Sequence, residues 1–515
     1  RGGHNFIQIR FGNEPIHSHH PVLDVIVALD KNTIDFHTER LQAKGIILCD
    51  ESIAADDSRL IPIPMKKIAT EVGNPKTIGS VAMGAVLKMF NLPLDTVQEI
   101  FETKFEKQTA ESNFIAFSKG HQLLHKHFES EPGGKDNHIL INSNYAIAIG
   151  ALAGGVSFYP AYPMSPATSI MTFLSRKQND AKIIVEQVED EISAINMALG
   201  ASYAGVRSMT GSSGGGVALM VEAFSLQGIT EIPLVVVDCQ RPGPATGLPT
   251  RTEQADLEFT LYGGHGEFPR MVIAVRNAED AFYQTTRALN IADKYQLLVI
   301  ILTDEYLADA TQTIPPFDFS TVSIEKHISS KEDIDDEVYR RYKDVKSGIS
   351  PRIIPGKIPG WTTLIDSDEH NEYGHITESA EVRIAMVEKR ARKLEGLKAE
   401  IQEPKFFGAE NPETLLIGWG STYGPLKECV EMLEKDGVSV GALVYGDIWP
   451  LPTKLLEKYT AIAKKVVNVE QNYTGQLAKL IRQTTGIAMY KSILKYDGRQ
   501  ISGHEIYTRV KSEVL

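Results

Sequence analysis

Tyr162-Pro163-Met164-Ser165-Pro166-Ala167-Thr168 opens the stretch whose reading decides the architecture. Thr210-Gly211-Ser212-Ser213-Gly214-Gly215-Gly216 lies in its middle, and Arg241-Pro242-Gly243-Pro244-Ala245-Thr246-Gly247 closes it. Each of these segments is rich in Gly, Pro or hydroxyl residues and stands beside a short apolar run. That is the pattern of parallel strands whose ends gather around one site. Between them the periodicity predicts strands at Lys182 to Val185, Val206 to Met209 and Pro233 to Asp238. It predicts helices at Glu191 to Tyr203 and Val217 to Gln227. Arg270 to Ala274, a helix from Ala278 to Tyr295 and Leu297 to Thr303 complete a parallel sheet covered on both faces.

Upstream, Val22 to Leu29 and Gly45 to Cys49 read as buried strands, and Asn5 to Arg10 has a strand-like pattern. Gly79 to Phe90 reads as a helix whose small residues permit close packing. The polar segment Asp95 to His127 has helical spacing. Glu129 to Asn137 combines Pro, Gly and charge and reads as a linker, after which His138 to Ile141 starts a new domain and Ala146 to Ala153 is helical. Downstream, the alternation lapses from 312 to about 408. There a helix with alternating charges, Ala380 to Gln402, reads as an arm with a mostly solvated face. A last α/β unit follows, with strands at Thr414 to Trp419, Val438 to Tyr445 and Lys465 to Val469 and a helix from Tyr423 to Lys435.

At 515 residues the chain holds roughly three domains, each long enough to bury a core. Its apolar and charged fractions, 42% and 23%, are those of an ordinary globular protein. A net charge of −13 argues against nucleic acid or an anionic membrane surface as a partner. No run of about 18 uncharged apolar residues offers a membrane span. The three scattered cysteines, Cys49, Cys239 and Cys429, exclude a disulfide framework and point to a reducing, cytoplasmic compartment. An iron–sulfur cluster needs about four thiolates, so any such cluster belongs to a partner. The first residue is Arg1 and no secretory pattern follows; the expectation is that an N-terminal part of the first domain is missing.

Hydroxyl and glycine residues at strand ends, ahead of helix N-termini, suit an anionic or polar ligand, because free N–H groups and the helix dipole meet there. Gly211 to Gly216 is the best such segment, although a plain strand–helix turn fits it equally. It lacks the order of a nucleotide-triphosphate loop. Arg241 can clamp a carboxylate or form a surface salt bridge. Of the acidic run Glu186, Glu189, Asp190 and Glu191, at most one is a working group and the others complement a helix dipole. His17, His19 and His20 cluster in a loop without a standard zinc spacing, so no metal is assigned. These patterns alone stop at a polar site in a multi-domain α/β protein.

The segment Ala146 to Leu307 resembles the alpha subunit of 2-oxoacid:ferredoxin (acceptor) oxidoreductases. The residues that carry the likeness are Tyr162-Pro163-Met164-Ser165-Pro166, Glu189-Asp190-Glu191, Thr210 to Gly216, Arg241-Pro242-Gly243-Pro244 and Gln254-Ala255-Asp256-Leu257. Asp368-Glu369-His370, Gly418-Trp419-Gly420-Ser421-Thr422 and Val469-Glu470-Gln471-Asn472 fit as well. Arg1-Gly2-Gly3-His4 and the strands after it resemble the second half of the family's gamma domain, fused ahead of alpha. Ser143-Asn144-Tyr145-Ala146 departs from the family's Gly-Asn-Glu-Ala, so Tyr145 receives no role.

The resemblance implies a gamma-type α/β domain at 1–134 and a pyrimidine-binding thiamine-diphosphate domain at 135–311. It implies a connecting arm at 312–408 and a transketolase C-terminal-like α/β domain at 409–515. It implies oxidative decarboxylation of a 2-oxoacid with coenzyme A to acyl-CoA and CO2, electrons passing to ferredoxin. From the fused arrangement the expected substrate is 2-oxoglutarate; pyruvate, branched-chain or aromatic 2-oxoacids are alternatives. A beta subunit would carry the diphosphate and Mg²⁺ sites and a [4Fe–4S] cluster, in a dimer of alpha–beta heterodimers. By the same likeness Glu191 would hydrogen-bond N1′ of the aminopyrimidine, favouring the 4′-imino tautomer, with Glu189 in reserve. Ser165 and Arg241 would meet the substrate, and Tyr162, Pro163, Gly211, Ser212, Ser213 and Gly214 would line the cofactor. A thiamine enzyme without redox partners would need a Gly-Asp-Gly…Asn diphosphate motif, which the sequence lacks, and a non-catalytic assembly subunit is the remaining alternative.

Overall fold

A computed structural model of the chain describes residues 4–129 and 137–515. The predicted linker, apart from Glu129 and Asn137, lies outside the described residues, as do Arg1, Gly2 and Gly3. The chain divides into two compact units, Arg1–Asp136 and Asn137–Leu515.

In the first unit β1 (Leu23–Ala28), β2 (Leu41–Asp50) and β3 (Leu60–Ile63) form a parallel sheet in that order. Helices α1 (Ile78–Met89) and α2 (Lys107–Gln122) pack against each other. The small residues bring the two backbones together: a Cβ on Gly84 would lie 2.0 Å from the Phe117 carbonyl oxygen, and one on Gly120 2.0 Å from that of Val81. The strand expected over Asn5 to Arg10 does not form. The alternation there finds no sheet edge, and Ile7 and Ile9 are exposed.

The second unit is built on a five-stranded sheet in the order β15 (Asp447–Trp449), β9 (Arg270–Ala274), β10 (Leu298–Asp304), β8 (Leu234–Gln240) and β7 (Met209–Ser212). Its parallel members are β7 (Met209–Ser212), β8 (Leu234–Gln240), β10 (Leu298–Asp304) and β9 (Arg270–Ala274). The strands β8 and β10 open with unbroken apolar runs, Leu234–Val237 and Leu298–Leu302, and every residue of both is buried because both faces are covered. Beyond β7, a bridge between Phe158 and Ser208 leads to the parallel pair β5 (Phe158–Ala161) and β6 (Ile184–Gln187). Two strands start later than the sequence suggests. Lys182 ends α4 (Thr168–Ala181) with φ 54°, so the chain needs that residue for the turn before β6. The ladder of β7 on β8 runs through Gly211 and Ser212, so half of the glycine–serine segment is strand.

A second sheet forms the C-terminal part, in the order β12 (Lys405–Gly408), β14 (Val440–Tyr445), β13 (Thr414–Trp419), β16 (Lys465–Glu470) and β17 (Lys491–Leu494). Its chain also returns to the first sheet: β15 (Asp447–Trp449) pairs antiparallel with β9. Arg287 clamps the Asp447 carboxylate with two bonds of 2.7 Å. The connecting arm ends in the charged helix α8, which follows α5 (Glu191–Tyr203), α6 (Val221–Thr230) and α7 (Ala278–Tyr295), with α3 assigned to Ser143–Ala153, and spans Ala380–Lys398. As expected its charges are mostly solvated, Glu381, Arg383, Glu388, Glu395 and Lys398 among them, but Lys389, Arg390 and Lys393 are buried. Lys389 donates to both oxygens of Glu231 at 2.7 and 2.9 Å, Lys393 pairs with the same carboxylate, and Arg390 pairs with Glu369 at 2.9 Å. The buried charges serve an ion-pair network at the end of α6. No helix among the described residues is long and apolar enough to cross a membrane.

Candidate functional site

The site lies at the C-terminal ends of β5, β6, β7 and β8, where loops of a parallel sheet converge. After β5 comes Tyr162 to Thr168, with Tyr162 and Pro163 half-buried and Ser165 exposed. Asn144, near the start of α3, donates to the Pro166 carbonyl at 2.9 Å and to Ser169 Oγ at 2.8 Å and so braces this loop. After β8, Arg241 is 9% exposed and donates from Nη1 to the Ser165 carbonyl at 2.6 Å. The two residues expected near a substrate are therefore tied together, and Arg241 is buried rather than on the surface. The loop then folds back at Gly247, where φ is 51° and a Cβ would lie 1.7 Å from the Pro242 carbonyl oxygen; only glycine fits.

After β6 the acidic run separates by environment. Glu186 and Glu189 are exposed, and Asp190 caps α5 by accepting from the Ile192 N–H at 2.9 Å. Glu191, the first residue of the helix, is 2% exposed. Its Oε1 takes the Ser212 hydroxyl at 3.3 Å, and its Oε2 accepts no hydrogen bond from the described residues. A buried carboxyl with one oxygen uncommitted suits a ring nitrogen or amine of a heteroaromatic group. Gly211, Ser212 and Ser213 are buried and Gly214 is half-buried. Gly216 faces Glu191 so closely that a Cβ there would lie 2.1 Å from Ser212 Oγ and 2.5 Å from Glu191 Oε1. Gly216→Ala is expected to push the carboxyl aside, cutting turnover by about 10²-fold, because a misplacement of about 1 Å has that effect. Thermal unfolding is expected to change little, and steady-state rates beside a melting curve check both.

Gln254 and Asp256 carry no role in the sequence reading beyond motif membership. In the fold Gln254 joins the C-terminal part to the site: its side chain donates to the Trp419 carbonyl at 2.8 Å and accepts from the Gln471 N–H at 3.1 Å. Asp238 was hidden inside an apolar strand. Its carboxyl is wholly buried and neither oxygen is hydrogen-bonded. Burial, and then the neighbouring Asp256, push it well above the carboxylate range. Burial also lifts Asp256 to about 6 against the pull of Arg241, and Glu253 to about 7. An acid directly after Val235-Val236-Val237 was the signal available in the sequence. Among the described residues no group of three His, Cys, Asp or Glu side chains is placed to hold a metal ion.

Comparison with known proteins agrees along the chain. The family model described as pyruvate flavodoxin/ferredoxin oxidoreductase, thiamine diphosphate-binding, matches residues 149–389. Two others, pyruvate ferredoxin/flavodoxin oxidoreductase and pyruvate:ferredoxin oxidoreductase core domain II, match 1–123 and 412–506. A 2-oxoacid:ferredoxin oxidoreductase subunit alpha from Sulfolobus is 31% identical over 98% of this chain and 89% of its own length. The 2-oxoglutarate oxidoreductase subunit KorA of Mycobacterium tuberculosis is 34% identical over 78% of this chain and 63% of its own. A solved structure of 2-oxoglutarate:ferredoxin oxidoreductase from Magnetococcus marinus, with 2-oxoglutarate, coenzyme A and succinyl-CoA bound, superimposes with a TM-score of 0.91. It is 32% identical, with 98% of this chain and 90% of that one covered.

Proposed function

The chain belongs to the family of 2-oxoacid:ferredoxin oxidoreductase alpha subunits, and on that premise we propose that it oxidatively decarboxylates 2-oxoglutarate with coenzyme A, passing electrons to ferredoxin. The observation that carries the site assignment is the buried Glu191 heading α5, with one oxygen uncommitted, beside a glycine that admits no side chain. The relatives named for 2-oxoglutarate support the substrate. The same reading divides the chain at 134, 311 and 408 into gamma-type, pyrimidine-binding, connecting and C-terminal parts.

Thiamine diphosphate, when bound, supplies the nucleophilic carbon and the electron sink for loss of CO2. Glu191 would hold N1′ of its aminopyrimidine, and Tyr162, Pro163, Gly211, Ser212, Ser213 and Gly214 would line that ring. Ser165 and Arg241 would orient the 2-oxoacid, the guanidinium neutralising its carboxylate. Burial at the head of a helix gives Glu191 a fixed position and excludes water from its contact. The cysteines Cys49, Cys239 and Cys429 are all buried and far apart in sequence, too few for a cluster of four thiolates. In this reading a [4Fe–4S] cluster, Mg²⁺ and the diphosphate site belong to a beta subunit, in a cytoplasmic dimer of heterodimers.

The test is a substrate panel on the complex of this chain with its partner chain, with coenzyme A and a viologen dye. The expected result is a kcat/KM for 2-oxoglutarate about tenfold or more above pyruvate, branched-chain and aromatic 2-oxoacids, a discrimination of about 1.4 kcal/mol. A higher value for any of the others would replace the substrate. Turnover by this chain alone would remove the need for a beta subunit.

A further inference from the structure

Three segments that carry the family likeness have no part in the mechanism above: Gln254-Ala255-Asp256-Leu257, Gly418 to Thr422 and Val469 to Asn472. The fold brings them together in one seam. The loop after β8 leaves the sheet at Arg241 and returns beside its own start, where the Asp256 N–H donates to Gln240 Oε1 at 3.0 Å. Gln240 also donates to the Thr303 carbonyl at 3.1 Å, so the residue before Arg241 ties the sheet to the returning end of the loop. The stretch between offers little apolar anchorage, since Gly243 to Leu248 are exposed. What holds the returning end is hydrogen bonding to the C-terminal part.

Gln254 is buried and commits its N–H, its carbonyl and both ends of its side chain to that part. Its N–H donates to the Gln471 carbonyl at 2.7 Å, and its carbonyl accepts from Asn472 Nδ2 at 3.0 Å. Gln476 donates to the Ala255 carbonyl at 2.7 Å and accepts the Glu258 N–H at 2.9 Å. The Thr252 N–H donates to the Gly498 carbonyl at 3.3 Å. The partners are themselves held. Glu470, wholly buried, accepts from Trp419 Nε1 at 3.1 Å, from Asn472 Nδ2 at 2.9 Å and from the Leu477 N–H at 3.0 Å. Gln471 donates to Gln500 Oε1 at 2.9 Å and accepts the Ile501 N–H at 2.8 Å. At Gly420, where φ is 54°, a Cβ would lie 3.1 Å from Gln254 Nε2. A buried polar network satisfied in this way specifies one arrangement of the parts it joins.

We propose that the C-terminal part sets the position of Arg241, through Gln254 and the loop that both residues share, and so governs capture of the 2-oxoacid. Gln254 and Gln476 act through Arg241 and are positioning residues. The path is short: Gln254 fixes the backbone two residues before Asp256, Asp256 fixes Gln240, and Gln240 precedes Arg241. Arg241 in turn holds the Ser165 carbonyl at 2.6 Å, so a shift of the loop moves both substrate-facing residues together. A guanidinium aligned on a carboxylate depends on such support, because a displacement of about 1 Å is enough to spoil its geometry.

All of this rests on the reading of Arg241 proposed above, and the experiment separates the two. In the complex with its partner chain, Gln254→Ala is expected to raise KM for 2-oxoglutarate about tenfold, with kcat within about threefold of native. The thiamine diphosphate concentration that gives half activity is expected not to change. Arg241→Ala is expected to raise the same KM by about 10²-fold, as for loss of a charged hydrogen bond. Adding Gln254→Ala to Arg241→Ala is expected to raise it no further, because both act on one contact. Gln476→Ala is the milder variant and stands in if Gln254→Ala does not assemble. Arg287→Met loosens the same two parts through bonds that do not touch the loop, and is expected to lower the melting midpoint with KM unchanged. A native KM in both glutamine variants, additive effects in the double variant, or an equal rise of KM in Arg287→Met overturns the proposal and leaves Arg241 in place. A native KM in Arg241→Ala overturns the substrate assignment itself, and the proposal with it.

Discussion

Glu191→Ala is expected to lower turnover of the complex by about 10³-fold or more, with assembly of this chain on its partner unchanged. The reasoning starts from position. Glu191 is the only member of its acidic run that is buried, and its Oε1 is fixed by Ser212. A group acting only as a proton donor or acceptor contributes about 10²–10⁴-fold, and one that also fixes a ring adds a positioning effect. Glu189 is exposed and its exchange for alanine is expected to leave the rate within about twofold, as for ordinary surface positions. Steady-state rates and size-exclusion profiles of both variants check this. A Glu191→Ala complex within tenfold of the native rate would remove the assignment.

The largest expected effect on stability lies elsewhere. Glu231 sits at the end of α6 with 1% exposure and takes Lys389 and Lys393, both enclosed, while Arg341 donates to its carbonyl at 2.7 Å. Burial opposes its charge, yet the two lysines and Arg341 hold the carboxyl well below the usual range; burial in turn pushes Lys393 down to about 7. Glu231→Gln leaves Lys389 and Lys393 buried without their counter-charge, to be held charged or to give up a proton, and breaking such a buried pair costs about 3–5 kcal/mol. For a unit of this size that lowers the unfolding midpoint by roughly 5–10 °C. The folded-state pKa lies below the unfolded value of about 4.3, so the stabilisation is present above that pH and lost as pH falls through the folded value. The gap between native and Glu231→Gln melting curves should thus be full at pH 7 and narrow on the acid side of pH 4. Adding Lys393→Met to Glu231→Gln should recover part of the loss. A midpoint shift below about 1 °C would show the network to be dispensable.

The contrast between these two carboxylates shows what the sequence made legible. Strands such as Arg270–Ala274 and Thr414–Trp419, and the helices Glu191–Tyr203 and Ala278–Tyr295, follow from local periodicity and match residue for residue. Glu191, Ser165 and Arg241 were reached through motif likeness, because nothing local distinguishes Glu191 from Glu189. Burial does, and burial is decided by Ser212 and Gly216, both more than 20 residues away. Most charges of α8 are solvated as read, but nothing local singles out Lys389 as buried, because its partner, Glu231, lies 158 residues upstream. Asn5 to Arg10 fails in the opposite direction, since a strand pattern needs a neighbouring strand to bond.

The short strand β15 carries a practical consequence. Because Asp447–Trp449 completes the edge of the sheet that bears the site, the C-terminal part is not a cassette that can be cut at 408 and exchanged between relatives. A chain ended there would uncover the backbone of β9 and strand Arg287 without its Asp447 clamp. An open edge of that kind invites pairing with other chains. Chimeras of this subunit should therefore take their crossover inside the surface loops of one part and carry 440–449 together with 270–287, or they will precipitate before any question about catalysis can be put to them.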